Sequence, residues 1–277
     1  VSVAPALTPS RPAVVVVLGL LGAAFLSLPV VALLVRVPWS DVGEVLGSST
    51  SLQALWLSLA TSAAAAGLSV VFGVPLAWLL AGGQGRLVAL GRAVVLLPIV
   101  LPPVVGGLAL LAALGSRGVA GPLLAEVGVV MPFSPAGVVA AQVFVAMPFL
   151  VVTVEAALRT GDVRGADAAA SLGAGAWRTF RQVTLPAAAP AVVAGVALAW
   201  ARALGEFGAT ITFAGNLEGR TQTLPLAIYL GAQTDPGGAL VLSALLVVVS
   251  LAVLVVLRSR WVVAFRPVVP ARGPRTG

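Results

Sequence analysis

Two places in this 277-residue chain carry charged or polar residues at spacings that could do chemical work. The first is Arg202 with Glu206, four residues apart inside a run, 187–213, that is otherwise apolar. On a helix that spacing puts both side chains on one face. An unpaired charge in hydrocarbon costs about 2.5–3.5 kcal/mol on insertion scales, so the two are expected to pair or to face water. Two readings stand. Either an intrahelical ion pair locks the packing, or Arg202 offers a positive field to an anion on a pathway while Glu206 orients it and keeps binding weak enough for release. Gly205 and Gly208 flank Glu206 and permit bending or close approach of another helix.

The second place is Asp167-Ala168-Ala169-Ala170-Ser171-Leu172-Gly173, followed after nine residues by Val183-Thr184-Leu185-Pro186. The alanines predict a short helix over Gly165 to Leu172, ended by Gly173 at positive φ. A second short helix is expected over Ala176 to Val183, limited by Pro186. Trp177 and Phe180 lie at i, i+3 on its face. They form either an aromatic knob for a cytoplasmic partner or the apolar side of a segment lying on the inner membrane surface.

Much other chemistry is excluded by residue type. There is no cysteine, histidine or lysine, so disulfides, thiol nucleophiles, imidazole bases, zinc sites of the usual kind and Schiff bases are excluded together. A phosphate-cradling G-x-x-x-x-G-K-[ST] loop is impossible for the same reason, so any ATP-driven process needs a separate motor. An intramembrane hydrolase would need an aspartate pair, and the apolar runs hold none.

These residues must be positioned by elements that live in lipid. Sixty per cent of residues are hydrophobic, 9% are charged, and the mean hydropathy is +1.10. A helix needs roughly 20 apolar residues to cross the bilayer. Six runs qualify: 13–35, 52–80, 93–114, 136–158, 187–213 and 238–257. The first is too long and continuous for a cleaved signal peptide. The second carries Ser58, Ser62, Gly67, Ser69 and Gly73, small residues suited to close helix packing. The third contains Pro98, Pro102, Pro103, Gly106 and Gly107 and must bend or break, inside the bundle or as a kinked packing helix. The fourth contains Gln142, Pro148 and, near its end, Glu155. A shorter apolar piece, Leu224 to Leu230, cannot cross alone and is expected to be re-entrant or interfacial.

Charge sets the orientation. All sixteen basic residues are arginines, and with nine acids the net charge is +7. Six spans put both termini on one side, together with Arg11, Arg86, Arg92, Arg159, Arg164, Arg178, Arg181, Arg258, Arg260, Arg266, Arg272 and Arg275. Only Arg36, Arg117 and Arg220 flank the other face, where Asp41, Glu44, Glu126, Glu218 and Asp235 also fall. By the positive-inside rule both termini and the loop 159–186 are cytoplasmic. The basic balance reports topology and not a nucleic-acid ligand.

The loop spacing resembles the EAA loop of ABC-importer permeases: Glu-Ala-Ala, three residues, Gly, nine residues, Ile, one residue, Leu-Pro. Here Asp167 stands for the glutamate and Val183 for the isoleucine across the twenty positions from Asp167 to Pro186. The stretch Ala201 to Thr210, continued through Asn216 and the run Arg220-Thr221-Gln222-Thr223-Leu224-Pro225-Leu226-Ala227-Ile228-Tyr229, is similar to the molybdate/tungstate permease family. Sulfate and thiosulfate permeases also resemble the Arg202 to Phe207 segment closely, but the run Arg220 to Tyr229 looks more like the molybdate branch.

The resemblance implies an all-α polytopic protein with the type I ABC-importer permease fold. It implies one transmembrane domain over 1–277, with short cytoplasmic tails at about 1–12 and 258–277, too short at the C-terminus for a regulatory oxyanion-binding domain. The expected function is the translocation pathway of an ATP-driven importer for molybdate or tungstate, the alternatives being a sulfate permease or an ATP-independent anion channel or carrier. Implied partners are a cytoplasmic ATPase dimer that holds ATP and Mg, an extracytoplasmic oxyanion-binding protein, a second copy of the chain, and the bilayer; the chain itself carries no cofactor and no catalytic residue. Asp167, Ala168, Ala169, Gly173, Trp177, Phe180, Leu185 and Pro186 would form the ATPase-coupling loop. Arg202, Glu206, Thr210 and Asn216 would line the pathway or its gate.

Overall fold

With backbone amides unable to reach water in hydrocarbon, a spanning segment must satisfy them internally, and every regular element among the described residues is a helix. The computed structural model describes residues 12–161 and 164–264. Five helices are long and apolar enough to cross a bilayer: α1 (Ala13–Arg36), α3 (Ser49–Gly82), α7 (Pro135–Thr160), the continuous helix Ala176–Leu204, and α13 (Pro236–Ala264). The pair α4 (Arg86–Val100) and α5 (Pro103–Leu114) is bent by 120° at the break between them and makes either one broken crossing or a re-entrant loop, so the described residues hold five or six crossings. Short helices α2 (Val42–Gly47), α6 (Gly121–Glu126) and α8 (Arg164–Ser171) lie in the connections.

The core is α3 against α7, with the long helix Ala176–Leu204 packed on both. Ser134 caps α7 by accepting the Gly137 amide at 3.1 Å, with Pro135 at the first helical positions. On α3 the buried positions Ser51, Ala54, Ser58, Thr61, Ser62, Ala65, Ser69, Gly73 and Ala77 repeat at three- and four-residue steps. Leu52, Trp56, Val71, Phe72 and Leu79 point outward. Small residues inside and large apolar ones outside invert the pattern of a soluble helix and suit a lipid-facing one. A β-carbon on Gly73 would lie 2.9 Å from Leu150 Cδ2, and one on Gly195 would lie 3.1 Å from Leu150 Cα. Gly67, by contrast, is exposed with nothing within 4 Å, so it takes no part in the packing expected of it.

The remaining departures from the sequence reading concern where helices break. The expected loop 81–92 shrinks to 83–85, because Arg86 and Arg92 already lie in α4. The third span does break, at Leu101 and Pro102, both extended. Consecutive prolines remove two donors and force their predecessors out of the helical region. The fifth span is not continuous to Phe213. It stops at Leu204 and resumes as a short helix, Gly208–Ala214. Pro186 ends nothing: the chain passes from α9 (Ala176–Thr179) through a π-turn, Phe180–Thr184, into α10 (Leu185–Leu204). There the Leu185 amide reaches back to the Phe180 carbonyl, so the widened turn lets the helix accept a proline that an α-turn would reject.

Candidate functional site: a broken helix and the loop that leads to it

The break at Gly205–Phe207 is held by Glu206. Its Oε2 pairs with Arg202 Nη1 at 2.5 Å and its Oε1 accepts the Ala209 amide at 2.8 Å, while the residue is 1% exposed. One carboxylate therefore ties the last turn of α10 to the first turn of α11 (Gly208–Ala214), where free amides favour a negative group. The Arg202 side chain keeps 30% of its surface open, so some of its donors remain accessible beside a partner that already neutralises its charge. That arrangement can attract an anion without holding it permanently.

Glycines bring α11 onto α5. A β-carbon on Gly208 would lie 2.5 Å from Pro103 Cβ, and one on Gly107 would lie 2.6 Å from Thr212 Cβ. The two broken spans, third and fifth, thus meet at their breaks. Thr210 follows on α11, fully buried, and its hydroxyl has no hydrogen-bond partner. Asn216 lies beyond Gly215, whose φ is +74°, and its buried Oδ1 also lacks a partner. So Arg202 and Glu206 are joined directly, while Thr210 and Asn216 follow along the same short stretch without a recorded bond to either. Sequence reasoning left out Gln142 on α7: 1% exposed, with both amide atoms unpartnered, it marks a place for ordered water or a polar ligand. Its one signal was an amide alone in an apolar span.

The loop before α10 is built from its residue types. α8 ends where Gly173 adopts φ +79°, and the Ala174 amide returns to the Ala169 carbonyl at 2.9 Å, closing the helix end with a left-handed glycine. Ala168 and Ala169 lie in that helix; the Asp167 side chain is outside the described set. Leu172 and Trp177 are 88% and 71% exposed. Phe180 stacks on Trp177 with centroids 5.9 Å apart, but its edge also meets Trp78 of α3 at 5.2 Å. The aromatic pair is therefore divided, with Trp177 outward and Phe180 rooting the loop in the core. Leu185 and Pro186 open α10.

A second buried ion pair, absent from the sequence reading, lies above that root. Arg92 Nε donates to Glu155 Oε1 at 2.5 Å, and Arg92 Nη2 donates to the Leu80 carbonyl at 2.8 Å. Arg92 thus fastens α4 to the C-terminal turns of α3 and α7 at once. Residues 63 apart in the chain form it, which is why no local spacing announced it.

Residues 69–267 match the family model described as binding-protein-dependent transport system inner membrane component. The chain is 49% identical over 229 residues to the molybdenum transport system permease protein ModB of Mycobacterium tuberculosis, covering 83% of this chain and 87% of that protein. It is 43% identical over 210 residues to ModB of Escherichia coli K12, covering 76% and 92%. The sulfate transport system permease protein CysT of the same bacterium is 33% identical over 211 residues, covering 75% and 76%. Among solved structures, a bacterial ABC transporter involved in import of the acidic polysaccharide alginate superposes with a TM-score of 0.65 at 19% identity, covering 92% of this chain and 96% of that one. The MetNI methionine ABC transporter gives 0.61 at 19% identity, covering 78% and 96%.

Proposed function

The chain belongs to the family of binding-protein-dependent transport system inner membrane components, and from that premise we propose that it is the multi-pass permease subunit of an ATP-driven importer for molybdate or tungstate. The observation that carries the substrate is the higher identity to permeases named for molybdenum than to the one named for sulfate. The chain performs no covalent step. ATP and Mg act on a cytoplasmic ATPase dimer, which grips the exposed ridge of α8, Leu172 and Trp177; two copies of the chain enclose the pathway; and both termini are cytoplasmic.

A mechanical coupling through one long helix fits this reading. Ala176–Leu204 is one helix of 29 residues, about 43 Å at 1.5 Å per residue. Its cytoplasmic end is the loop helix α9, and its far end is the Arg202–Glu206 junction. A displacement imposed on Trp177 and Leu172 is carried along this rod to the break, where Glu206 passes it to α11 and, through Gly208 and Pro103, to α5. The open edge of Arg202 offers its remaining N–H donors to the oxyanion beside Glu206, with Thr210 and Asn216 as polar wall. On the outer side, Glu44, Asp235, Ser48 and Thr50 line an acid-bearing hollow. Negative charge there disfavours free entry of a dianion and favours handover from an oxyanion-binding protein.

The test is uptake of radiolabelled molybdate by cells that lack their own importer and express this chain with its ATPase and binding protein. Uptake that tungstate suppresses and excess sulfate leaves intact supports the proposal. Suppression by sulfate at equal concentration assigns the chain to sulfate, and uptake without the ATPase replaces the importer with a channel or carrier.

A further inference from the structure

We infer that the groove between α4 and α7 binds the phosphate of an anionic phospholipid, with Arg92 and Arg159 as its ligands. Glu155 Oε1 serves both arginines, at 2.5 Å from Arg92 Nε and 3.8 Å from Arg159 Nη1, leaving the trio with one net positive charge. The longer distance exceeds a hydrogen bond, so the Arg159 guanidinium, 56% exposed, keeps its N–H groups for another acceptor. A phosphate diester offers two anionic oxygens to such a fork.

The shape agrees with the charge. The arginines stand at one end of a hollow of about 220 Å³ whose walls are Val95 and Leu96 of α4 with Val152 and Ala156 of α7. That volume suits a headgroup with the start of its glycerol, not a whole lipid. Along the same side of α4, Leu96 and Ile99 are each about two-fifths exposed, as is Val152 of α7 beside them, an apolar track for acyl chains. A basic end over an apolar track, at the rim of a spanning helix, is the pattern that selects acidic lipid headgroups in the cytoplasmic leaflet. The leaflet rests on the orientation proposed above; the lipid class does not.

Binding there would add contacts beside the Arg92–Glu155 pair, and so would hold α4 against α7. The test is native mass spectrometry of the full chain in mild detergent, titrated with phosphatidylglycerol or with phosphatidylcholine. The expected result is one tightly held phosphatidylglycerol per chain, at least tenfold preferred over phosphatidylcholine, weakened about tenfold by Arg159→Gln, largely kept by Arg159→Lys, and unaffected by Arg36→Gln at the far end of α1. Equal retention of both lipids, or loss in Arg36→Gln as much as in Arg159→Gln, overturns the site. Displacement of the lipid by millimolar inorganic phosphate makes it a free-anion site. Rapid disulfide formation between two copies carrying Leu96→Cys shows the groove to be covered by protein instead. Lipid retention is read without transport, so its failure leaves the importer reading standing, and failure of uptake leaves this one standing.

Discussion

The carboxylate of Glu206 does two jobs that substitutions can separate. Glutamine keeps an oxygen for the Ala209 amide but cannot neutralise Arg202; alanine loses both. Glu206→Gln is therefore expected to cost about 1–3 kcal/mol and Glu206→Ala more, read as thermal unfolding in detergent. Equal losses would show that the helix-start contact contributes nothing. Arg202→Ala alone is a mixed experiment, since it strands a carboxylate that is 1% exposed. Arg202→Gln combined with Glu206→Gln removes the charge and leaves no stranded partner. That variant should assemble with its ATPase yet fail in molybdate uptake; normal uptake would make the pair purely structural. At this scale the sequence disclosed the i, i+4 pair in full. It could not disclose Arg92 with Glu155, or the orphaned amide of Gln142, because partners supplied by other helices leave no mark on local spacing.

Helices were legible where hydropathy alone decides and illegible where contact does. The break at Leu101–Pro102 was foreseeable because prolines act through the backbone of their own chain. No proline marks the break at Gly205–Phe207, and although Gly205 and Gly208 permit a bend there, nothing local requires one; it is imposed by Glu206 and by the approach of Pro103 to Gly208. Gly67 and Gly73 look alike in sequence, yet only Gly73 faces Leu150. Substitutions should follow these contacts. Gly208→Val drives a side chain into Pro103 and is expected to destabilise by about 1–3 kcal/mol and to slow uptake. Gly67→Ala, in open space, should stay within about 0.5 kcal/mol of wild type in the same melts. On the loop, Gly173→Trp places a bulky L-residue at φ +79° and should abolish co-purification with the ATPase. Trp177→Ala removes an exposed ring, so the melting temperature should hold while ATPase capture weakens several-fold.

The chain as a whole has an asymmetry of charge that predicts its sidedness, and its lack of cysteine makes the prediction easy to check. A single cysteine at Leu172 should react with an impermeant maleimide only in inverted vesicles, and one at Leu217, also exposed, only in right-side-out cells. Labelling of both from one side would reject an odd number of crossings between them and, with it, the cytoplasmic loop. The five long spans were readable because a bilayer imposes a length, and the bend between α4 and α5 because prolines force one. The relation between spans was not, since the meeting of α5 with α11 joins residues about a hundred positions apart.

The π-turn at Phe180–Thr184 acts as a timing offset. Each residue advances a helix by about 100°, so one extra residue in a turn rotates everything downstream by that angle relative to everything upstream. Trp177 lies upstream of the offset, while Gly195, Trp200 and Arg202 lie downstream. The bearing of the exposed Trp177 ring and the bearing of the Arg202–Glu206 pair are therefore set against each other by a single residue's worth of backbone. Shortening this segment by one residue would leave every contact of the loop chemically possible and aim the far end of the rod at the wrong neighbour.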